Sequence, residues 1–155
     1  MKFTNLLTSW GAYLLLDKPV INTSLTKLVE VLEKTGQELH EHLASCSTST
    51  ASRNQLCHII GIERWGQRRL RVAFGEPYLP EDYDHYKPSI DQPWELLIEE
   101  WDNTRRTTIE LVNEIAKNNI PDELTIPHNQ FGKLHIKGWL RYLDLHASGE
   151  GKRIK

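Results

Sequence analysis

The chain has 155 residues, of which 39% are hydrophobic and 26% are charged, and its formal net charge is -2. This composition is typical of a folded globular protein and excludes an intrinsically disordered one. A charge so close to zero provides no electrostatic attraction to nucleic acids or to anionic membranes, and the length predicts a single domain over 1–155.

The stretch 1–19, MKFTNLLTSWGAYLLLDKP, contains an apolar run of the kind found in signal peptides. Polar residues interrupt the run, Asp17 ends it, and no small-residue cleavage site follows. No stretch of the chain reaches the roughly 20 apolar residues that span a membrane. Cys46 and Cys57 do not form a CxxC motif, and reduced thiols fit a reducing compartment. We therefore expect a cytoplasmic protein that is mature as written.

Two amphipathic helices are predicted in the first half of the chain. Over 23–44, apolar residues recur three and four positions apart, and one of residues 22–24 can cap the first turn. Over 53–74, a second apolar stripe continues until Gly75, which is a natural helix stop, and Pro77 follows it.

A long loop is predicted at 75–93, where the chain contains four prolines and three tyrosines. The segment is too polar and too rich in proline for a strand or a long helix, yet it is too aromatic for a simple linker. A loop of this length is usually functional or crosses the end of a bundle. Crossing is the favoured interpretation, because the helices on either side can then run parallel.

Two further helices are predicted at 91–119 and 133–150, separated by a loop at 120–133. No strand is predicted, although LTIP (124–127) is too short to exclude an extended stub. Four helices of this length predict an all-α four-helix bundle. With the long crossover loop between helices two and three, the predicted topology is up-down-down-up.

Two of the seven histidines each lie on an apolar strip of a predicted helix. His58 lies on the strip of Trp65, and His146 lies on the strip of Trp139. Glu150 follows His146 by four residues, which places the two side chains one turn apart on a helix face. Each histidine alone is typical of a hydrogen-bonded core residue. Together, two imidazoles and a carboxylate suit a divalent transition metal such as zinc, nickel or iron, with one position open for water or substrate.

The other five histidines are interpreted as residues that do not bind metal. His40 and His42 fall on different helix faces, which favours solvated side chains. His85 and His128 fall in predicted loops, which favours a surface residue or one that packs within its loop. His135 is close to the start of helix four, where a position at the edge of the core is favoured over metal binding.

Two segments resemble a known family. HIIGIERWGQRRL (58–70) and KGWLRYLDLH (137–146) resemble the second and fourth helices of the DinB superfamily, which are small metal-binding four-helix bundles. The family commonly carries one histidine on helix two and a His-x-x-x-His pair on helix four. The resemblance matches these to His58 and His146, and Glu150 stands where the second histidine of the pair would be. The glycines that flank Glu150 each weaken a helix by up to about 1 kcal/mol relative to alanine.

The resemblance implies a metal-dependent hydrolase or a thiol-dependent transferase. The implied metal ligands are His58, His146 and Glu150, and the implied partners are a small-molecule substrate or a low-molecular-weight thiol. The tyrosines of the 75–93 loop, together with Tyr142, would shape the substrate pocket.

The alternative is a non-catalytic stress-response or interaction protein that keeps the bundle and has a degenerate metal site. Such a protein would act as a homodimer if Trp10, Trp94 or Trp101 were buried across an interface, although core packing is the ordinary role of each tryptophan. Both alternatives are open at the level of sequence. Nucleic-acid binding is not expected, because the chain has no basic face.

Overall fold

Four long helices and a short hairpin dominate the computed structural model, which describes Thr8 and residues 10–155. The elements are α1 (Leu25–Ala44), α2 (Thr50–Leu70), α3 (Trp94–Lys117), β1 (Thr125–His128), β2 (Gly132–His135) and α4 (Ile136–Gly151). Turns of π or 3-10 helix span Tyr13–Asp17, Lys18–Val20, Arg71–Phe74 and Asp84–Tyr86. The described chain is therefore mostly helical, which confirms the predicted helical class in its coarse form.

Residues 1–7 and 9 lie outside the described residues, and so does the corresponding part of the stretch that was compared with a signal peptide. Within the described part, none of the helices combines the length and the apolarity that crossing a membrane requires.

Serine caps determine where α1 and α2 begin. The Ser24 hydroxyl accepts a hydrogen bond from the backbone N–H of Lys27 (3.1 Å), and the Ser49 hydroxyl accepts one from that of Ser52 (3.1 Å). Each cap satisfies a donor that the first helical turn leaves free. The second helix therefore starts earlier than predicted. It ends in 3-10 geometry before Gly75, whose φ of 87° is left-handed.

α1 packs against α3 and α4, and the paired residues give the helix directions. Trp94 and Trp101 of α3 donate from Nε1 to the carbonyl oxygens of Leu43 (3.2 Å) and Gly36 (3.3 Å) respectively. Residue numbers rise along one helix as they fall along the other, so α1 and α3 are antiparallel. α1 is parallel to α4, because residue numbers rise along both helices from one contact to the next. Thr35 contacts Asp144 of α4, and His42 contacts Ile154 just after α4.

The segment that joins α2 to α3 runs back along α2. The carbonyl oxygens of Pro77 and Glu81 accept hydrogen bonds from Arg68 and Arg69 near the end of α2, and that of Ile90 accepts one from Arg53 near its start. α3 thus begins near the start of α2, and the two helices pack in parallel, with contacts from Arg64 to Thr104 and from Gln67 to Thr108. The sequence predicted a loop across the end of the helices. The loop instead lies along the side of α2, because arginine side chains bind its carbonyl groups.

β1 and β2 form an antiparallel hairpin where the sequence predicted a loop and the first residues of helix four. Ile126 pairs with Leu134, and both side chains are buried. Gly132 has a φ of 77°, which residues with a side chain rarely adopt. An isolated two-stranded hairpin is marginal in water, so this one depends on the helices. Trp139 Nε1 of α4 donates to the Ile126 carbonyl oxygen (3.0 Å). Helix four therefore starts later than predicted.

The three tryptophans considered for an interface differ in exposure. Trp94 is 5% exposed and Trp101 is fully buried, so both belong to the core. Trp10 is 65% exposed, and the nearby Leu14 and Leu15 are also exposed. Of the three tryptophans, Trp10 alone lies on a surface that is open to another molecule. We name Trp10, Leu14 and Leu15 the N-terminal apolar surface.

Asp17 caps α4 from outside the helix, and a glycine makes room for it. The Asp17 side chain is buried, and its Oδ1 accepts a hydrogen bond from the His135 backbone N–H at the start of α4 (3.1 Å). A Cβ added at Gly138 would lie 1.8 Å from that oxygen. Gly138→Ala is therefore expected to expel the carboxylate and to lower the free energy of unfolding by about 1–3 kcal/mol. Urea denaturation followed by circular dichroism measures this change.

Gly149→Ala in the same helix is the matched control. A Cβ at Gly149 meets nothing within 4 Å, and alanine is favoured over glycine inside a helix by up to about 1 kcal/mol. This variant is expected to be more stable than the wild-type protein. Equal destabilisation by the two substitutions would contradict the steric argument.

Candidate functional site

The antiparallel packing of α2 and α4 brings His58 and His146 together. The Nε2 atoms of the two rings are 3.1 Å apart, and the ring centroids are 5.0 Å apart. This separation is within hydrogen-bond range, and one neutral imidazole can donate its N–H to the other. The two strips on which the sequence placed these histidines therefore face each other.

Two tyrosines pack against the histidine pair. The Tyr83 ring, from the segment between α2 and α3, meets the His58 ring edge-on at a centroid distance of 5.0 Å. The Tyr142 ring lies one turn before His146 on α4, at 5.9 Å. Both tyrosines were expected to shape a pocket, and the structure places Tyr83 against His58 and Tyr142 near His146. The aromatic rings exclude water from part of each imidazole.

Burial sets the charge of the histidine pair. It lowers the pKa of His58, and the Lys87 ammonium lowers it further, while Glu150 and Asp84 act in the opposite direction. Burial also lowers the pKa of His146 to about 4, and the neighbouring His58 adds to this effect. Both rings are therefore neutral at pH 7. Neutral imidazole is the form that binds a metal ion.

The third predicted ligand, Glu150, has other partners. α4 continues through Gly151 despite the flanking glycines, so Glu150 lies within the helix. Its Oε2 accepts hydrogen bonds from Gln55 Nε2 (2.6 Å) and Arg153 Nη1 (3.0 Å). Among Thr8 and residues 10–155, no three His, Cys, Asp or Glu side chains are grouped to hold a metal ion. The structure thus brings together two of the three predicted ligands.

The geometry of the two histidines fits a single divalent ion. If an ion lies about 2.0–2.1 Å from each nitrogen, a separation of 3.1 Å corresponds to an N–metal–N angle of about 100°. That angle is between the roughly 90° of an octahedral site and the roughly 109° of a tetrahedral one. The separation of the two nitrogens is therefore that of two neighbouring ligands of one ion.

An apolar groove of about 500 Å³ adjoins His146. One wall comes from residues 11–16 and includes Ala12 and Leu15. The other wall comes from α4 and includes Tyr142 and Leu145. Phe131 of the hairpin turn also contributes to the lining. Small-molecule sites are typically concave, mostly apolar and supplied with a few polar groups. The groove therefore offers room for a ligand beside one ring of the histidine pair.

A buried ionic network, which the sequence reasoning missed, joins all four helices. Arg105 Nη2 donates to Glu63 Oε2 (2.9 Å), and Thr108 Oγ1 donates to Glu63 Oε1 (2.8 Å). Arg105 Nη1 lies 3.8 Å from Asp144 Oδ1, which accepts a hydrogen bond from Thr35. Burial raises the pKa of Glu63 and of Asp144, while Arg105 opposes this rise in both. One guanidinium thus faces two carboxyl groups.

The sequence contains a signal for this network. Glu63 is four residues after Ile59 and seven before Leu70, so it falls on the apolar strip of α2. A charged residue at such a position is rare unless it is paired inside the core. The partner, Arg105, could not be identified from spacing, because the pairing depends on how α2 packs against α3.

His128 is buried, so of the two predicted positions, at the surface or packed within its loop, it has the second. Its Nδ1 accepts hydrogen bonds from the backbone N–H groups of Gln130 (3.1 Å) and Phe131 (3.3 Å). Its ring packs among aromatic side chains, including those of Trp139 and Tyr142. Burial lowers the pKa of His128 to about 4. The histidine therefore acts as a neutral core residue that closes the hairpin turn.

Comparison of the chain with protein-family models, with curated proteins and with solved structures found no match. The DinB resemblance therefore rests on the two helical segments in which it was seen, and it stays a prediction.

Proposed function

We propose that the chain is a DinB-like four-helix bundle with up-down-down-up topology. The parallel packing of α1 with α4 and of α2 with α3 supports this topology. The antiparallel packing of α1 with α3 and of α2 with α4 supports it as well. The family assignment is supported by the resembling segments 58–70 and 137–146, because they supply the two histidines that meet.

Within this bundle, the His58–His146 pair binds a divalent transition metal such as zinc, nickel or iron. The observation that carries the proposal is the 3.1 Å separation of two imidazole nitrogens that are neutral at pH 7. Such an ion would supply Lewis acidity, which acidifies a bound water or thiol. The proposed activity is therefore that of a metal-dependent hydrolase or of a transferase that uses a low-molecular-weight thiol.

The surrounding side chains have separate roles in this proposal. His58 and His146 bind the ion, and the Tyr83 and Tyr142 rings restrict the access of water to it. The apolar groove orients a substrate beside His146. Glu150 supplies the third ligand when it leaves Gln55 and Arg153, and until then these two residues hold its carboxylate one helical turn away.

A second candidate is a non-catalytic interaction protein with a degenerate metal site. The hydrogen bonds of Glu150 to Gln55 and Arg153 favour it, because they occupy the carboxylate that a complete site requires. The N-terminal apolar surface favours a homodimer in this case, since exposed large apolar side chains in a cluster are typical of interfaces.

Metal analysis separates the two candidates. The protein is purified without a histidine tag or chelator, its metal content is measured by mass spectrometry, and zinc is titrated calorimetrically. One ion per chain is expected, and His58→Ala and His146→Ala are each expected to weaken binding by about 100-fold or more, because each removes a direct ligand. Glu150→Gln reports whether the carboxylate joins the site.

His40→Ala is the matched control for the histidine variants. The His40 side chain is paired with Asp102 on a partly exposed face, away from the histidine pair. Its replacement is expected to leave zinc affinity unchanged. If the wild-type protein binds no metal, or if the three alanine variants bind zinc equally well, the metal proposal fails and the non-catalytic candidate is retained.

A further inference from the structure

The apolar groove next to His146 has a lining that restricts the charge of its ligand. The described residues that line it include no Lys, Arg, Asp or Glu. A carboxylate or phosphate buried there would lose its hydration without gaining a cationic partner, which is costly. The ligand that fits the described lining is therefore uncharged.

The size and shape of the groove also restrict the ligand. Its volume of about 500 Å³ lies within the range of roughly 300–1,000 Å³ that is typical of small-molecule sites. Leu15 and Leu145, on opposite walls, are 60% and 39% exposed, which places them at the rim. A small molecule can enter between these two leucines.

Two polar side chains of the groove lie close together on α4, and Thr8 is a further polar residue of the described lining. Tyr142 and His146 are one helical turn apart, and both line the groove. The Tyr142 hydroxyl can donate or accept a hydrogen bond. A ligand with one polar group would place that group here and its hydrocarbon part along the leucine and alanine side chains.

We infer that this groove binds an uncharged, largely hydrocarbon small molecule that carries a single hydrogen-bonding group at the Tyr142–His146 end. Its role as the substrate site rests on the function proposed for the histidine pair, because His146 belongs to both. The binding itself requires no metal. The described lining therefore favours an apolar, neutral substrate over a sugar, a nucleotide or a carboxylic acid.

Two fluorescent dyes that differ by one charge test the inference. N-phenyl-1-naphthylamine is uncharged and has one N–H group, and 8-anilinonaphthalene-1-sulfonate has the same ring system with a sulfonate. Each is titrated into the full chain in the presence of EDTA. The uncharged dye is expected to bind at one site per chain and at least about tenfold more tightly, which corresponds to about 1.4 kcal/mol. Equal affinities, or tighter binding of the sulfonate, would overturn the inference.

Rim variants show whether the dye occupies the groove. Leu145→Lys adds a cation at one wall, and Leu15→Lys adds one at the other. Each is expected to reduce the preference for the uncharged dye by at least about fivefold, because an ammonium at the rim attracts the sulfonate. Leu96→Lys is the control, since Leu96 is an exposed leucine of α3 that does not line the groove. A control variant that changes the preference as much as the rim variants would place the dye elsewhere and refute the inference.

His58→Ala separates this inference from the proposed metal function. His58 does not line the groove, so dye binding in EDTA is expected to be retained in this variant while zinc binding is lost. If His58→Ala loses zinc affinity but the wild-type protein binds no dye, the metal site is supported and the groove inference is refuted. If the wild-type protein binds the dye but no zinc, the groove inference is supported and the metal proposal is refuted.

Discussion

Arg105→Met is expected to lower the free energy of unfolding by about 3–5 kcal/mol at pH 7. The Arg105 guanidinium is the cation of the buried network, and Glu63 beside it is 1% exposed. Removing it leaves the Glu63 and Asp144 carboxyl groups without that counter-charge in the interior, whereas methionine preserves most of the packing volume. Urea denaturation measures the change, with an unchanged dependence on denaturant as evidence that the fold is intact.

Arg64→Met is the matched control for this prediction. Arg64 bonds to Glu100 between the same two helices, but both side chains are about 30% exposed. A pair of this exposure contributes about 1 kcal/mol or less. The double variant Glu63→Gln with Arg105→Met is expected to regain part of the stability that Arg105→Met loses, because the buried charge is removed together with its partner. If Arg105→Met costs no more than Arg64→Met, the network does not stabilise the helix packing as described.

Acidification from pH 7 to pH 4 is expected to destabilise the protein through its buried histidines. The pKa values of His128 and His146 are about 4 in the folded chain and about 6.5 when exposed to water. The unfolded state therefore binds more protons in this range, so stability is present above about pH 6.5 and is lost as the pH falls toward 4. Each histidine accounts for up to about 3 kcal/mol. Glu63 and Asp144 have raised pKa values, and their protonation offsets part of this loss.

His128→Asn isolates one of these contributions. The Asn side-chain oxygen can accept the backbone hydrogen bonds that His128 Nδ1 accepts from Gln130 and Phe131, but it does not titrate. The variant is expected to have lower stability at pH 7, where the aromatic contacts of the ring are lost. It is expected to have a shallower dependence on pH between 7 and 5, measured by urea denaturation at several pH values. The same pH dependence in both proteins would show that His128 is not a source of the acid sensitivity.

The sequence alone was sufficient for the features that depend on local interactions. Apolar spacing of three and four residues predicted the four long helices, since a helix buries the residues that share one face. The same periodicity placed His58 and His146 on inward strips. It also carried an unused signal in Glu63, a charged residue on an apolar strip.

Tertiary packing determined the features that join distant parts of the chain. The β1–β2 hairpin is too short to be stable alone, and Trp139 of a later helix completes it. The path of the 75–93 loop depends on α2 arginines that bind its carbonyl groups, an arrangement that no local pattern specifies. Glu150 lies on the predicted helix face, but its partner Gln55 is on α2, far away in sequence. Side-chain pairing between two helices depends on how far one helix is shifted along the other when they pack. The periodicity within one helix carries no information about that shift.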